Sequence, residues 1–206
     1  MSAAKAPPAL PWTWIFGLVI AAVVGLVLTR PRPPRPAPIE EATQDQLERR
    51  DGRLYRTNES APFTGALVER YPSGEIKSRS LLAGGLLQGA SIGWYTNGQM
   101  QVREHFQFGV SHGLRTKWYE DGKLMVEGMI IDGEFDGTFR RWHENGQLAE
   151  TVEMKRGHAD GVSLAYHPSG FLKARAVLND GQVIEQNFWD DGETRLPPMT
   201  AKAVSP

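Results

Sequence analysis

Glycine recurs along this chain every 24 residues, in three columns that keep step with one another. Gly65, Gly89, Gly113, Gly137 and Gly161 form the first, Gly74, Gly98, Gly122, Gly146 and Gly170 the second, and Gly85, Gly109, Gly133, Gly157 and Gly181 the third. The pattern is G-x8-G-x10-G-x3-G. A fixed period of this length marks a repeat array, in which each unit buries its apolar surface only against its neighbours. A scaffold is therefore expected ahead of an enzyme.

Between the glycines the residues alternate as strands do. SIGWY and LRTKW lead into YTNG, YEDG, HENG or HPSG, turn sequences that put glycine where φ must be positive, and a second strand follows. Each unit reads as a β-hairpin, and consecutive hairpins as one elongated antiparallel meander of the all-β class. Two apolar columns run through the second strands: Ile76, Met100, Leu124, Leu148 and Leu172, then Leu82, Phe106, Ile130, Met154 and Leu178. They stand six residues apart, an even number, which predicts one shared face. Trp94, Trp118, Trp142 and Tyr166 add a ladder in the first strands, and Tyr71, Tyr95, Tyr119, His143 and His167 form an adjacent column read as an exposed aromatic stripe. The last copy departs from the rule, with Glu185 where glycine is due and an early Gly192, as a terminal capping unit would.

The first 40 residues have a different composition. From Trp12 to Thr29 there are 18 residues without a charge, roughly 27 Å as a helix and so near the lower limit for a membrane span. Trp12 and Trp14 at one end and Arg30 and Arg32 at the other suit the two interfaces, and no small-x-small cleavage site follows the apolar run, which favours a retained transmembrane α-helix over a secretory signal. Lys5 on one side and Arg30, Arg32 and Arg35 on the other leave open which side holds the array. Gly17, Ala21 and Gly25, four apart, would form a small-residue groove through which two such helices could pair into a homodimer. Residues 31–38, PRPPRPAP, resist helix and strand and read as a polyproline spacer. The expected order is a short tail over 1–11, a span over 12–29, a linker over 30–50 whose last part forms a short frayed helix, an array over 51–192 and a disordered tail over 193–206.

Composition narrows the chemistry. A net charge of -1 supplies no field for nucleic acid, and the absence of cysteine removes both disulfides and thiolate metal sites. Five histidines, His105, His112, His143, His158 and His167, invite a metal. However, His143 and His167 sit one unit apart, about 10 Å across two strand spacings, too far for one ion. Ser111 and His112 lie in an inter-hairpin turn with no nucleophile elbow, and AGGLLQG is a connection between hairpins, not a phosphate loop. The acidic pairs Asp190/Asp191 and Glu40/Glu41 fall in turn and linker. No cofactor, metal or catalytic set is expected.

GASIGWYTNGQM, GLRTKWYEDGKL and GTFRRWHENGQL resemble the MORN variant repeat, with its core G-x-x-x-x-W/Y-Y-x-x-N/D-G-x-L. The entry segment, with Leu54, Tyr55 and then Pro62, Phe63, Thr64 and Gly65, resembles the start of proteins of the YwqK-type antitoxin family, built from the same units. The resemblance covers residues 51–192 and implies a hairpin array that binds another protein, in antitoxin-named members a toxin. The column Tyr71, Tyr95, Tyr119, His143 and His167 is the surface on which such a partner is expected, because planar side chains give contact area at little entropic cost. The rival reading is a structural module lying along a lipid or envelope surface without a single protein partner.

Overall fold

The computed structural model describes residues 38–193. The expected span, its groove of Gly17, Ala21 and Gly25, and most of the C-terminal tail lie outside the described residues, among which no helix is long and apolar enough to cross a membrane.

All described regular structure except one 3-10 turn is β. The chain enters through β1 (Glu41–Ala42), a 3-10 turn (Gln44–Gln46), and the hairpin β2 (Leu47–Arg50) and β3 (Arg53–Arg56). The array follows as β4 (Gly65–Arg70), β5 (Ile76–Ala83), β6 (Leu86–Trp94), β7 (Met100–Gln107), β8 (Val110–Ser111), β9 (Gly113–Trp118), β10 (Leu124–Ile131) and β11 (Glu134–Phe135). It ends with β12 (Gly137–Trp142), β13 (Leu148–Lys155), β14 (His158–Tyr166), β15 (Leu172–Asn179) and β16 (Gln182–Phe188). From β4 to β16 the strands pair antiparallel in chain order within one 14-stranded sheet, the short β8 and β11 pairing beside β9 and β12, so the expected meander of hairpins is present. The frayed helix expected before residue 50 is instead the short β1, the 3-10 turn and β2. Thr43 donates its backbone N–H to the Gln46 side chain, a local bond that closes one turn and goes no further.

The expectation that the two apolar columns share a face is overturned, and a one-residue bulge in every unit is the reason. Gly65 pairs with Leu82 and Arg70 with Ile76, so five steps along β4 oppose six along β5, and Lys77 is the extra residue. Directly opposed residues share a face. Gly65 and Arg70 are an odd number apart, which puts Leu82 and Ile76 on opposite faces. The same slip recurs as Gly89↔Phe106 against Trp94↔Met100, Gly113↔Ile130 against Trp118↔Leu124, Gly137↔Met154 against Trp142↔Leu148, and Gly161↔Leu178 against Tyr166↔Leu172. A sheet one layer thick cannot bury both faces, and the bulge divides the load. One half of each hairpin packs its ladder on the face of Leu82 and Ile130, the other on the face of the tryptophans.

The N-terminal end is capped. Ala42, Leu47, Phe63 and Leu82 form a buried cluster with Leu54, Leu67 and Leu87 packed against it. β1 runs parallel to β4, with Glu41 opposite Ala66 and Ala42 opposite Leu67, so the first array strand is not a bare edge. The other end, β16, has every residue exposed.

Candidate functional site: the ring ladder and the open face

The turn between the strands of each hairpin is built locally. In the third unit the Gly122 N–H donates to Tyr119 O at 2.9 Å, the Tyr119 N–H to Lys123 O at 2.8 Å, and the Lys123 N–H to Asp121 Oδ1 at 3.0 Å. Gly122 takes φ of 85°, which an L side chain resists. Asn97 and Asn145 hold their turns in the same way, accepting from the N–H of Gln99 and Gln147.

The ring column sits at the entrance to these turns, and its polar atoms point along the array. Tyr71 Oη donates to Trp94 O at 2.7 Å, Tyr95 Oη to Trp118 O at 2.8 Å, and Tyr119 Oη to Trp142 O at 2.7 Å. His143 Nε2 lies 2.9 Å from Tyr166 O and His167 Nε2 3.1 Å from Trp189 O, both as donors, since a carbonyl can only accept. The column is therefore half-buried and engaged, and its reading as an exposed stripe is corrected. Each ring ties its turn to the end of the first strand of the next unit, where the tryptophan column stands. A histidine can stand in for a tyrosine because its far ring nitrogen reaches the equivalent carbonyl. Burial at Tyr166 pushes that phenol above the usual tyrosine range.

Alongside runs a second set of ties, with Asn97 Nδ2 donating to Glu120 O, Asn145 Nδ2 to Pro168 O and Lys123 Nζ to Glu144 O. At the opposite edge the third glycine column points backwards. Gly109 donates its N–H to Leu87 O, Gly133 to Ser111 O, Gly157 to Phe135 O and Gly181 to Ala159 O, at 2.8 to 3.0 Å. Both rows of turns thus lash unit to unit, forwards by side chains and backwards by amides. In the sequence the trace is an offset of 23 between the ring column and the tryptophan column in the first four ties, shortened to 22 in the last, His167 to Trp189. One hydrogen bond of this kind is worth about 1 kcal/mol net. Tyr119→Phe is therefore expected to lower stability by about 1 kcal/mol, and Tyr119→His, which restores a donor, to recover part of the loss in thermal melts.

The surface left unused lies on the tryptophan face, over the half of each hairpin away from the tryptophans. Leu114 opposes Met129 across β9 and β10, and Ile131 follows two residues on, at 43%, 44% and 44% exposed. Val110, 47% exposed, stands beside the turn at Gly133, where a Cβ built on the glycine would lie 3.6 Å from its Cγ1. Next to it Phe108 is 78% exposed at φ of 49°. The equivalent turn positions are Gly84, Asp132, Arg156 and Asp180. All of them share this left-handed backbone, so the turn imposes it, and placing an aromatic residue there, where Gly or Asp would sit more easily, costs about 1–2 kcal/mol. Sequence reasoning missed this patch because the faces depend on the bulge.

Residues 111–132 and 135–156 match the family of the MORN repeat variant. No curated protein matches the chain. Tyr119 and His143, two of the five rings that tie one hairpin to the next, lie within the matched residues, and over those two stretches the chain carries repeats of the MORN variant type.

Proposed function

We propose that the chain is a membrane-anchored repeat scaffold whose array binds a protein partner. The repeats and the single sheet supply the scaffold, and the apolar run from Trp12 to Thr29 supplies the anchor on sequence grounds. The observation that carries the binding reading is the patch of Val110, Leu114, Met129 and Ile131 with Phe108 at its rim. Aliphatic side chains cluster there on one face, beside a ring held out in strained backbone. An antitoxin-like role, with a toxin as the partner, follows from the resemblance of the entry segment and is a narrower form of the same proposal. The half-buried rings of Tyr95 and Tyr119 keep a share in it, but the first task of the column is to hold consecutive units in register.

The test uses the full chain in its membrane with a photo-crosslinking residue at Met129, and in parallel at Glu153, the equivalent position one unit on. A discrete protein adduct from 129 and not from 153, reduced about tenfold or more by Leu114→Lys with Ile131→Lys, is the expected result. Those side chains are exposed, so the fold should survive both changes. Adducts with lipid alone would reject the protein-binding reading in favour of a module that lies on a lipid surface.

A further inference from the structure

The two ends of the sheet are unlike. At the first, β1 covers β4, and Ala66 and Val68 are 0% and 2% exposed. At the last, all seven residues of β16 are exposed, with Val183 at 53%, Ile184 at 67% and Phe188 at 68%. The outer edge of this strand presents a row of backbone donors and acceptors that no described strand takes up.

Natural edges are usually guarded by lysine, proline or inward charge. β16 has neither lysine nor proline, and its single charge, Glu185, is already held, with Oε1 3.2 Å from Arg175 Nη1 and 3.0 Å from Asn187 Nδ2. Its bulge falls at Ile184, between the pairs Leu178↔Val183 and Val177↔Glu185, which leaves Glu185–Phe188 as a regular stretch. The chain's own continuation is poorly suited to cover it. The turn at Asp190–Glu193 reverses direction, with the Glu193 N–H donating to Asp190 O, but Pro197 and Pro198 follow and two consecutive prolines deny a strand its amide on either edge.

We propose that β16 pairs with β16 of a second copy, antiparallel about a two-fold axis, to make one sheet continuous through two chains. At the first end β1 covers Ala66 and Leu67 of β4, whereas β16 is bare along its length, so two β16 edges are the matched pair, and an isologous contact between them stops at two copies. A two-fold axis normal to the sheet requires a residue to face its own counterpart. Centring it on Gln186 sets Glu185 against Asn187 within the regular stretch and brings Phe188 next to the bulge at Ile184, with no like charges opposed, whereas centring it on Glu185 would oppose two carboxylates.

The chain lacks cysteine, so a single introduced thiol reports the contact cleanly. Directly opposed Cα atoms in an antiparallel pair lie about 4.5–5.5 Å apart, within the range a disulfide spans. The full chain carrying Gln186→Cys is to be oxidised in its membrane, in a Gly17→Leu, Gly25→Leu background that removes any contribution of the apolar N-terminal segment. Glu48→Cys, exposed in β2, serves as the collision control. The expected result is a disulfide-linked homodimer as the main species from Gln186→Cys and a trace from Glu48→Cys. Adding Ile184→Lys and Phe188→Lys should abolish it while circular dichroism stays unchanged. Monomer only, equal crosslinking from both cysteines, or an adduct of the thiol-bearing β16 with a different protein would each overturn the proposal. The readout is independent of the Met129 crosslink, so either idea can fail alone.

Discussion

Replacing Gly85 by alanine is expected to cost about 3 kcal/mol and to undock the N-terminal cap. Gly85 opens the connection between the first two hairpins at φ of 76°, and a Cβ there would lie 2.7 Å from Leu54 O, 2.8 Å from Arg53 Cβ and 2.9 Å from Leu54 N. Two of those three atoms are backbone of β3, which cannot swing aside as a side chain can. The same residue accepts from the Leu54 N–H at 2.9 Å and donates to Phe63 O at 2.8 Å, while Arg53 Nη1 donates to the neighbouring Gly84 O at 2.6 Å. Pushing β3 away would therefore break those bonds and open the cluster of Ala42, Leu47, Phe63 and Leu82. Gly52 is the control. Its φ of 77° is nearly the same, yet nothing lies within 4 Å of its Cβ position, so Gly52→Ala carries the dihedral cost alone, about 1 kcal/mol. Thermal melts should place Gly85→Ala about 6–12 °C below the parent, with new proteolytic cuts between residues 43 and 62. Equal melting of the two variants would show that β3 does not press against the array there.

Ile130→Ala is expected to destabilise by about 3 kcal/mol, whereas Met129→Ala, one residue earlier, should cost under about 1 kcal/mol. Ile130 is 1% exposed and stands between Gly113 and Phe135, its partners across β9 and β11. Phe135 meets Phe139 edge to face at 5.2 Å, and both rings cover Gly128, whose Cβ position is 2.8 Å from Phe135 and 3.3 Å from Phe139. Truncating Ile130 leaves a void beneath that pair. Met129 points to the other face and is 44% exposed. Because each unit of an array is stabilised by its immediate neighbours, a weak point in the middle separates the halves. The Ile130→Ala melt should split into two transitions, and a single transition shifted no more than that of Met129→Ala would contradict the assignment of faces.

These two contrasts show which properties were legible before any coordinates. Gly52 and Gly85 are indistinguishable in sequence as turn glycines; only the fold brings β3 against one of them. Met129 and Ile130 are both apolar residues of a strand, and only Ile130 stood out in the sequence, as a member of an in-step apolar column. Its face relative to Leu124 was misread, because an even spacing implies one face only while the strand is regular. The ring column illustrates the same limit. Its 24-residue beat was plain, but a tyrosine that contacts a partner and a tyrosine that bonds a carbonyl 23 residues ahead leave the same trace in a sequence.

The sequence by itself determined the period, the positions of the turns and the strands of the repeating units, but not the N-terminal boundary of the array, since β1 joins its sheet and Ala42 and Leu47 its core. Those follow from local chemistry, since a positive φ selects glycine and an Asn or Asp side chain closes its own turn within two residues. The tertiary structure alone decided the faces, the ties between units, the capped and bare ends and the apolar patch on the tryptophan side. Each of these depends on how two strands slip past one another by a single residue, and a bulge is a property of a pair of strands that neither strand's sequence contains alone.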